Sequence, residues 1–142
     1  MGFIGHDAHP DSLVARTRQR DGELWKEDIV EMFFNPLFDH KSYAHVGVNS
    51  QGVVADAYYQ GGLGNSSRAW NAQGEVAVHV GADFWSMEFR LDFGQEGVPR
   101  PDPETLWGFN FVRVFRGVEY SQWVRTYSGG HSPDDFGLLV FD

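Results

Sequence analysis

Cysteine is absent from these 142 residues. That excludes a disulfide framework, a thiolate nucleophile and a Cys-ligated zinc centre, and leaves the redox compartment open. Basic residues are scarce, with 11 Lys and Arg against 20 Asp and Glu and a formal charge of −9. Such a chain repels nucleic-acid phosphates and anionic membrane surfaces, and no basic cluster reverses the sign locally. No apolar run approaches the roughly 20 residues of a membrane helix, so insertion of this segment into a membrane is not expected. The start "MGFIGHDAHP" has neither the basic nor the long apolar region of a signal peptide; an export signal would lie outside these residues. Internal repeats, heptads and low-complexity tracts are missing as well. So are a Ser-His-Asp elbow, a phosphate loop and a zinc signature.

Glycine and aromatic residues are plentiful: 17 Gly, 12 Phe, 5 Trp and 5 Tyr. Together with short apolar runs they point to a single all-β domain over residues 1–142, large enough for one core. "GFIGH" reads as an opening strand, followed by a long polar loop with one helical turn near Leu13 and Val14. In "YAHVGVN", Ala44, Val46 and Val48 alternate with Tyr43, His45, Gly47 and Asn49, and "SQG" turns the chain into "VVADAYY", giving a hairpin over residues 43–59. A second hairpin runs through "EVAVHVGADFWSMEFRLDF", "WGFNFVRVFRG" is apolar on both faces, as a central strand is, and "FGLLVF" closes the chain. About eight antiparallel strands with long loops predict a β-sandwich, with a small barrel as the alternative.

The segment "LWKEDIVEMFFNP" carries three acids inside otherwise apolar sequence. On a helical period an acid interrupts the apolar stripe. On a strand period Asp28, Val30, Met32 and Phe34 face one way, and Ile29, Glu31 and Phe33 the other. The Ile, Val and Phe content and the terminating Asn35-Pro36 favour a strand from Asp28 to Phe34. Glu31 is then a mid-strand carboxylate between apolar neighbours, where it needs a partner, a hydrogen bond or water. Glu88 and Arg113 are expected to form a structural ion pair on adjacent strands. "HDAH", residues 6–9, lacks zinc spacing and a third committed ligand.

The series "RDGELWKEDIVEMFFNP", "VGVNSQGVVADA", "WSMEFRLDF", "LWGFNFVRVFRG", "SQW" and "SPDDFGLLVF" resembles carbohydrate-binding module family 9, a jelly-roll-like β-sandwich of the DOMON-like group. The likeness runs from about residue 3 to the end. It implies a non-catalytic domain of a larger bacterial protein, acting outside the cell, in the periplasm or at the cell surface. The family's domains usually begin with further strands, so the resemblance also implies that N-terminal strands precede Gly2. An open sheet edge there would favour other domains of a longer chain, or a homodimer, as partners.

In sugar-binding members the ligand lies between two Trp and is hydrogen-bonded by acid, amide and Arg side chains. The resemblance places Trp25 at the first clamp Trp, Glu31 at the acid and Asn49 at the amide. It also shows departures: the Arg two positions before the amide is Gly47, and the second Trp, six residues before Phe136, is Gly130. The chemistry of the first three is sound, since an aromatic face covers the C–H side of a pyranose and a carboxylate accepts from its hydroxyls. Trp70 could supply the missing aromatic face or simply pin its loop, and His131 stands beside the vacant Trp position. No cofactor is called for; structural Ca²⁺ is what some members carry, but no EF-hand-like loop names its ligands here. A glycosidase would need two carboxylates about 5 to 10 Å apart. Asp28 and Glu31 point to opposite faces, and Glu31 with Glu88 is the one pair left to consider. Carbohydrate binding is the expected function, and the alternative is a docking module that has lost it.

Overall fold

A computed structural model describes residues 1–127 and 129–142. Among the described residues ten strands form, in chain order: β1 (Gly2–His6), β2 (Ile29–Asn35), β3 (Tyr43–Asn49), β4 (Val54–Tyr59), β5 (Ser66–Ser67), β6 (Gly74–Val80), β7 (Phe84–Leu91), β8 (Leu106–Phe115), β9 (Glu119–Gln122) and β10 (Gly137–Val140). All pairings between them are antiparallel. One sheet has the order β1-β7-β6; the larger runs β10-β8-β2-β3-β4-β5, with β9 continuing along β8. Two separate sheets make this a sandwich rather than a closed barrel. The strands beyond the expected eight, β5 and β9, are short and polar, and polar residues show no apolar alternation from which to read a strand.

Alternation decides which side chains enter the sandwich. Val30, Met32 and Phe34 of β2 and Ala44, Val46 and Val48 of β3 pack with Trp85, Met87 and Phe89 of β7 in one buried cluster. The Val, Met and Phe side chains among them each contribute about 1.5–3 kcal/mol on leaving water. Strand β2 lies between β3 and β8, and all seven of its residues are buried. A second, smaller cluster covers the outer face of the large sheet: Leu24, Ile29, Phe33, Tyr43, Ala55, Val112 and Val114. Both faces of β2 are therefore apolar, and Glu31 sits on the outer one.

The loop before β2 is held by its acids. Glu27 Oε1 accepts from Arg16 N, Thr17 N and Thr17 Oγ1, at 2.9, 2.7 and 2.9 Å. Burial alone would raise its pKa, but these bonds and one from Asn49 hold it below the ordinary value. Asp28 Oδ2 accepts from Val14 N at 2.6 Å, and Asp28 N donates back to Val14 O at 2.8 Å. Here burial prevails and raises the pKa, against the Val14 N–H and the charges of Arg116 and Arg113. The helical turn is a short 3₁₀ segment at Pro10–Ser12, just before the position expected.

The Glu88–Arg113 pair does not form. Glu88 is exposed on β7 between inward-facing Met87 and Phe89, whereas Arg113 lies 3.6 Å from Asp7 and donates to His6 O at 3.3 Å. The two residues belong to different sheets, which strand periodicity cannot reveal.

Candidate functional site

Register across β2, β3 and β4 builds the site. Phe33 is opposite His45, Glu31 is opposite Gly47, and Tyr43 is opposite Tyr59. Side chains directly opposite or on the diagonal of one sheet face lie within reach of one another. Glu31 therefore reaches diagonally to His45, and their Oε2 and Nε2 stand 2.7 Å apart, the imidazole N–H donating. Both residues are buried, Glu31 at 6% and His45 at 3% exposure. The mid-strand acid has its partner.

The His45 ring is stacked on both sides. Phe33 lies 4.3 Å away at 7°, and Trp25 lies 5.1 Å away at 26°. Trp25 comes from the loop before β2 and descends over Gly47, where a Cβ would stand 3.1 Å from its Cζ3. A side chain at 47 and Trp25 in this position compete for one space. Trp25 remains half-buried, so part of its ring meets solvent.

His131 closes the other end. Its Nδ1 is 2.9 Å from Tyr43 Oη, and its ring meets Phe33, His45 and Tyr59 edge-on, with centroids 5.1, 4.9 and 5.3 Å away. Burial, aided by His45, depresses its pKa to about 4, while burial and then Tyr59 push the Tyr43 hydroxyl well above its usual range. At neutral pH the Tyr43 O–H therefore donates to an uncharged imidazole. Gly130, next to it, has φ +94° and lies against Phe33, whose Cζ would be 2.6 Å from an added Cβ. Both glycines that depart from the family pattern are thus pressed against a ring.

Trp25, Glu31 and His131 come together around His45. Asn49 and Trp70 do not join them. Asn49 is fully buried: its Nδ2 donates to Glu27 Oε2 at 3.0 Å and Thr17 O at 3.3 Å, and its Oδ1 accepts from Gln51 N and Val53 N at 3.0 and 2.9 Å. With its hydrogen-bonding capacity used, it ties the β3–β4 turn to the preceding loop. Trp70 packs on Tyr58 within the core between the sheets, and its Nε1 donates to Glu96 O at 2.7 Å. It pins its loop. His45, Tyr43 and Tyr59 were missed as site residues, although alternation already placed Tyr43 and His45 on the outer face of β3.

Beside Trp25 lies a recess of about 30 Å³ bounded by Asp21, Trp25, His45, Tyr59 and Arg68. Asp56, which also lines it, stands opposite Val46 of the inner face, carries an ion pair with Arg20 and accepts from Ala72 N at 3.1 Å. Burial raises its pKa to about 6, against the opposing Arg20 charge and Ala72 bond. Glu88 lies on the outward face of the other sheet, so it cannot flank a bond with Glu31. Among the described residues no group of three or more His, Asp or Glu side chains is placed to hold a metal ion. Asp7, between His6 and His9, instead faces Arg113 and accepts from His9 N at 2.8 Å.

No protein-family model matches the chain, and no match is found among curated proteins. Solved structures do match. A family 9 carbohydrate-binding module from Caldicellulosiruptor kristjanssonii, solved in complex with glucose, superposes with a TM-score of 0.72 at 17% identity over 99% of this chain and 69% of that one. A protein from Bacteroides uniformis described as a carbohydrate-binding candidate gives 0.74 at 16% identity, over 99% and 72%. A family 9 module from Caldicellulosiruptor kristjanssonii in complex with cellotriose gives 0.65 at 16%, over 95% and 64%. The fold is the family 9 sandwich, and the chain spans about 69% to 72% of the first two neighbours. None of its helices is long and apolar enough to cross a membrane, among the described residues.

Proposed function

We propose that this domain, folded like the family 9 modules, is a non-catalytic carbohydrate-binding module. One observation carries the reading: a half-exposed Trp25, backed by the His45 and Phe33 rings, stands beside the Glu31–His45 pair on one sheet face. A ring stiffened from behind offers a pyranose a flat apolar surface at little conformational cost. The neighbours solved with glucose and cellotriose support the same ligand class. Glu31 then holds the platform through His45 rather than meeting sugar directly, and His131 braces the far end through Tyr43. A role outside the cytoplasm, where structural glycans are met, follows from that ligand.

A second reading has its own support. Trp25 over Gly47 and Phe33 against Gly130 fill the space that a longer side chain would take at each position, so the chain could have become a docking module of a larger protein. Titration against a glycan panel, followed by Trp fluorescence and calorimetry, separates the two. Saturable binding lost at least tenfold in Trp25→Ala supports the sugar site. A panel with no saturable ligand, or affinity indifferent to that substitution, rejects it.

A further inference from the structure

We propose that Arg68 tunes this site to sugars carrying a carboxylate, a deepening that rests on the carbohydrate reading above. The recess beside Trp25 measures about 30 Å³, room for one or two water molecules. A pyranose ring cannot enter it. A ring lying on the solvent side of Trp25 can send only a small substituent inward.

The charges around the recess decide which substituent fits. Glu31 is taken by His45. The Asp56 side chain is fully buried and paired with Arg20. Asp21 accepts from Asp56 N at 3.3 Å and lies 3.9 Å from Arg20 Nε. Arg68 differs from all three: it is exposed, it lines the recess, and among the described residues its guanidinium makes no hydrogen bond or ion pair. The uncommitted charge at the rim is therefore a cation. A guanidinium presents a planar fork of N–H donors that a carboxylate accepts through two parallel bonds, a match that a neutral hydroxymethyl group lacks. A uronic acid, whose carboxylate projects from the ring edge, joins both features in one ligand. Sulfated sugars share the oxyanion but not the planar geometry.

Titrations of the intact chain with glucuronic acid, glucose and glucose 6-sulfate, at low and high salt, test this. Glucuronic acid is expected to bind at least tenfold more tightly than glucose at low salt, with the advantage shrinking as salt rises. Arg68→Gln should bring the two affinities to within threefold, and Arg68→Lys should restore only part of the difference. Equal affinities in the native chain, or a preference that survives Arg68→Gln, overturn the inference while leaving the carbohydrate reading intact. Tighter binding of the sulfate ester overturns the carboxylate assignment. Absence of binding by any sugar overturns both.

Discussion

The half-buried His131 and the buried Asp56 should oppose each other in the pH dependence of stability. His131 has its pKa depressed from 6.5 to about 4, chiefly by burial. Its folded state therefore favours the neutral ring, so its contribution is full above pH 6.5 and is lost as pH falls toward 4. Asp56 is raised from 3.8 to about 6, again chiefly by burial. Its contribution has the opposite sense, full below pH 3.8 and lost as pH rises through 6. At about 1.4 kcal/mol per pKa unit, going from pH 7 to pH 4 removes roughly 3 kcal/mol through His131 and restores roughly 2 kcal/mol through Asp56. In the native chain the two nearly cancel. Single substitutions unmask them: His131→Phe should gain stability on acidification relative to the native chain, and Asp56→Asn should lose it. Urea denaturation of both variants from pH 7 to pH 4 is the assay, because ionisations elsewhere affect both curves alike. The gap between the curves should change by roughly 5 kcal/mol over that range. Parallel curves would refute both assignments, a change of only about half that size would refute one of them, and an NMR titration of the His131 midpoint, near 4 or near 6.5, would identify which.

Three further outcomes follow from the packing. Asn49→Ala removes four hydrogen bonds and leaves Glu27 Oε2 without its amide partner, so a loss of about 2–4 kcal/mol is expected by denaturation. A loss under 1 kcal/mol would mean that the loop is held by other contacts. Gly130→Ala places a Cβ against Phe33 at a φ that L side chains rarely adopt; a destabilisation of about 1–3 kcal/mol is expected, and an unchanged urea midpoint would contradict that geometry. Trp70→Phe loses the bond to Glu96 O and about 1 kcal/mol of stability, with sugar affinity unaltered; a tenfold fall in affinity would return Trp70 to the site.

Much of the fold was legible because period-two alternation states which side chains must leave water. Val30, Met32 and Phe34 against Ile29 and Phe33, or Ala44, Val46 and Val48 against Tyr43, are assignments that the two apolar clusters bear out, whereas β3, which its alternation presents as half-buried, is buried along all seven residues because its outer face is covered as well. The site was harder to read. Trp25 and Glu31 are six residues apart in sequence, but the group that joins them, His45, comes from the next strand and is selected by register. His131 arrives from 86 residues beyond it. Asn49 illustrates the limit from the other side, because its residue type suits a sugar as well as it suits a turn, and only its four partners decide.

What the sequence determined by itself was therefore the class of fold, the strands, and the unusual demand that a carboxylate at position 31 be satisfied among apolar neighbours. Those follow from local propensity and from the cost of burying charge, both properties of the chain alone. Tertiary structure decided how the demand was met, with His45 on Glu31, Trp25 laid over Gly47 and Phe33 against Gly130, and it left Arg68 at the rim with no hydrogen bond or ion pair among the described residues. Each of these depends on which strands become neighbours and on who fills a shared volume, and neither is encoded in any single segment.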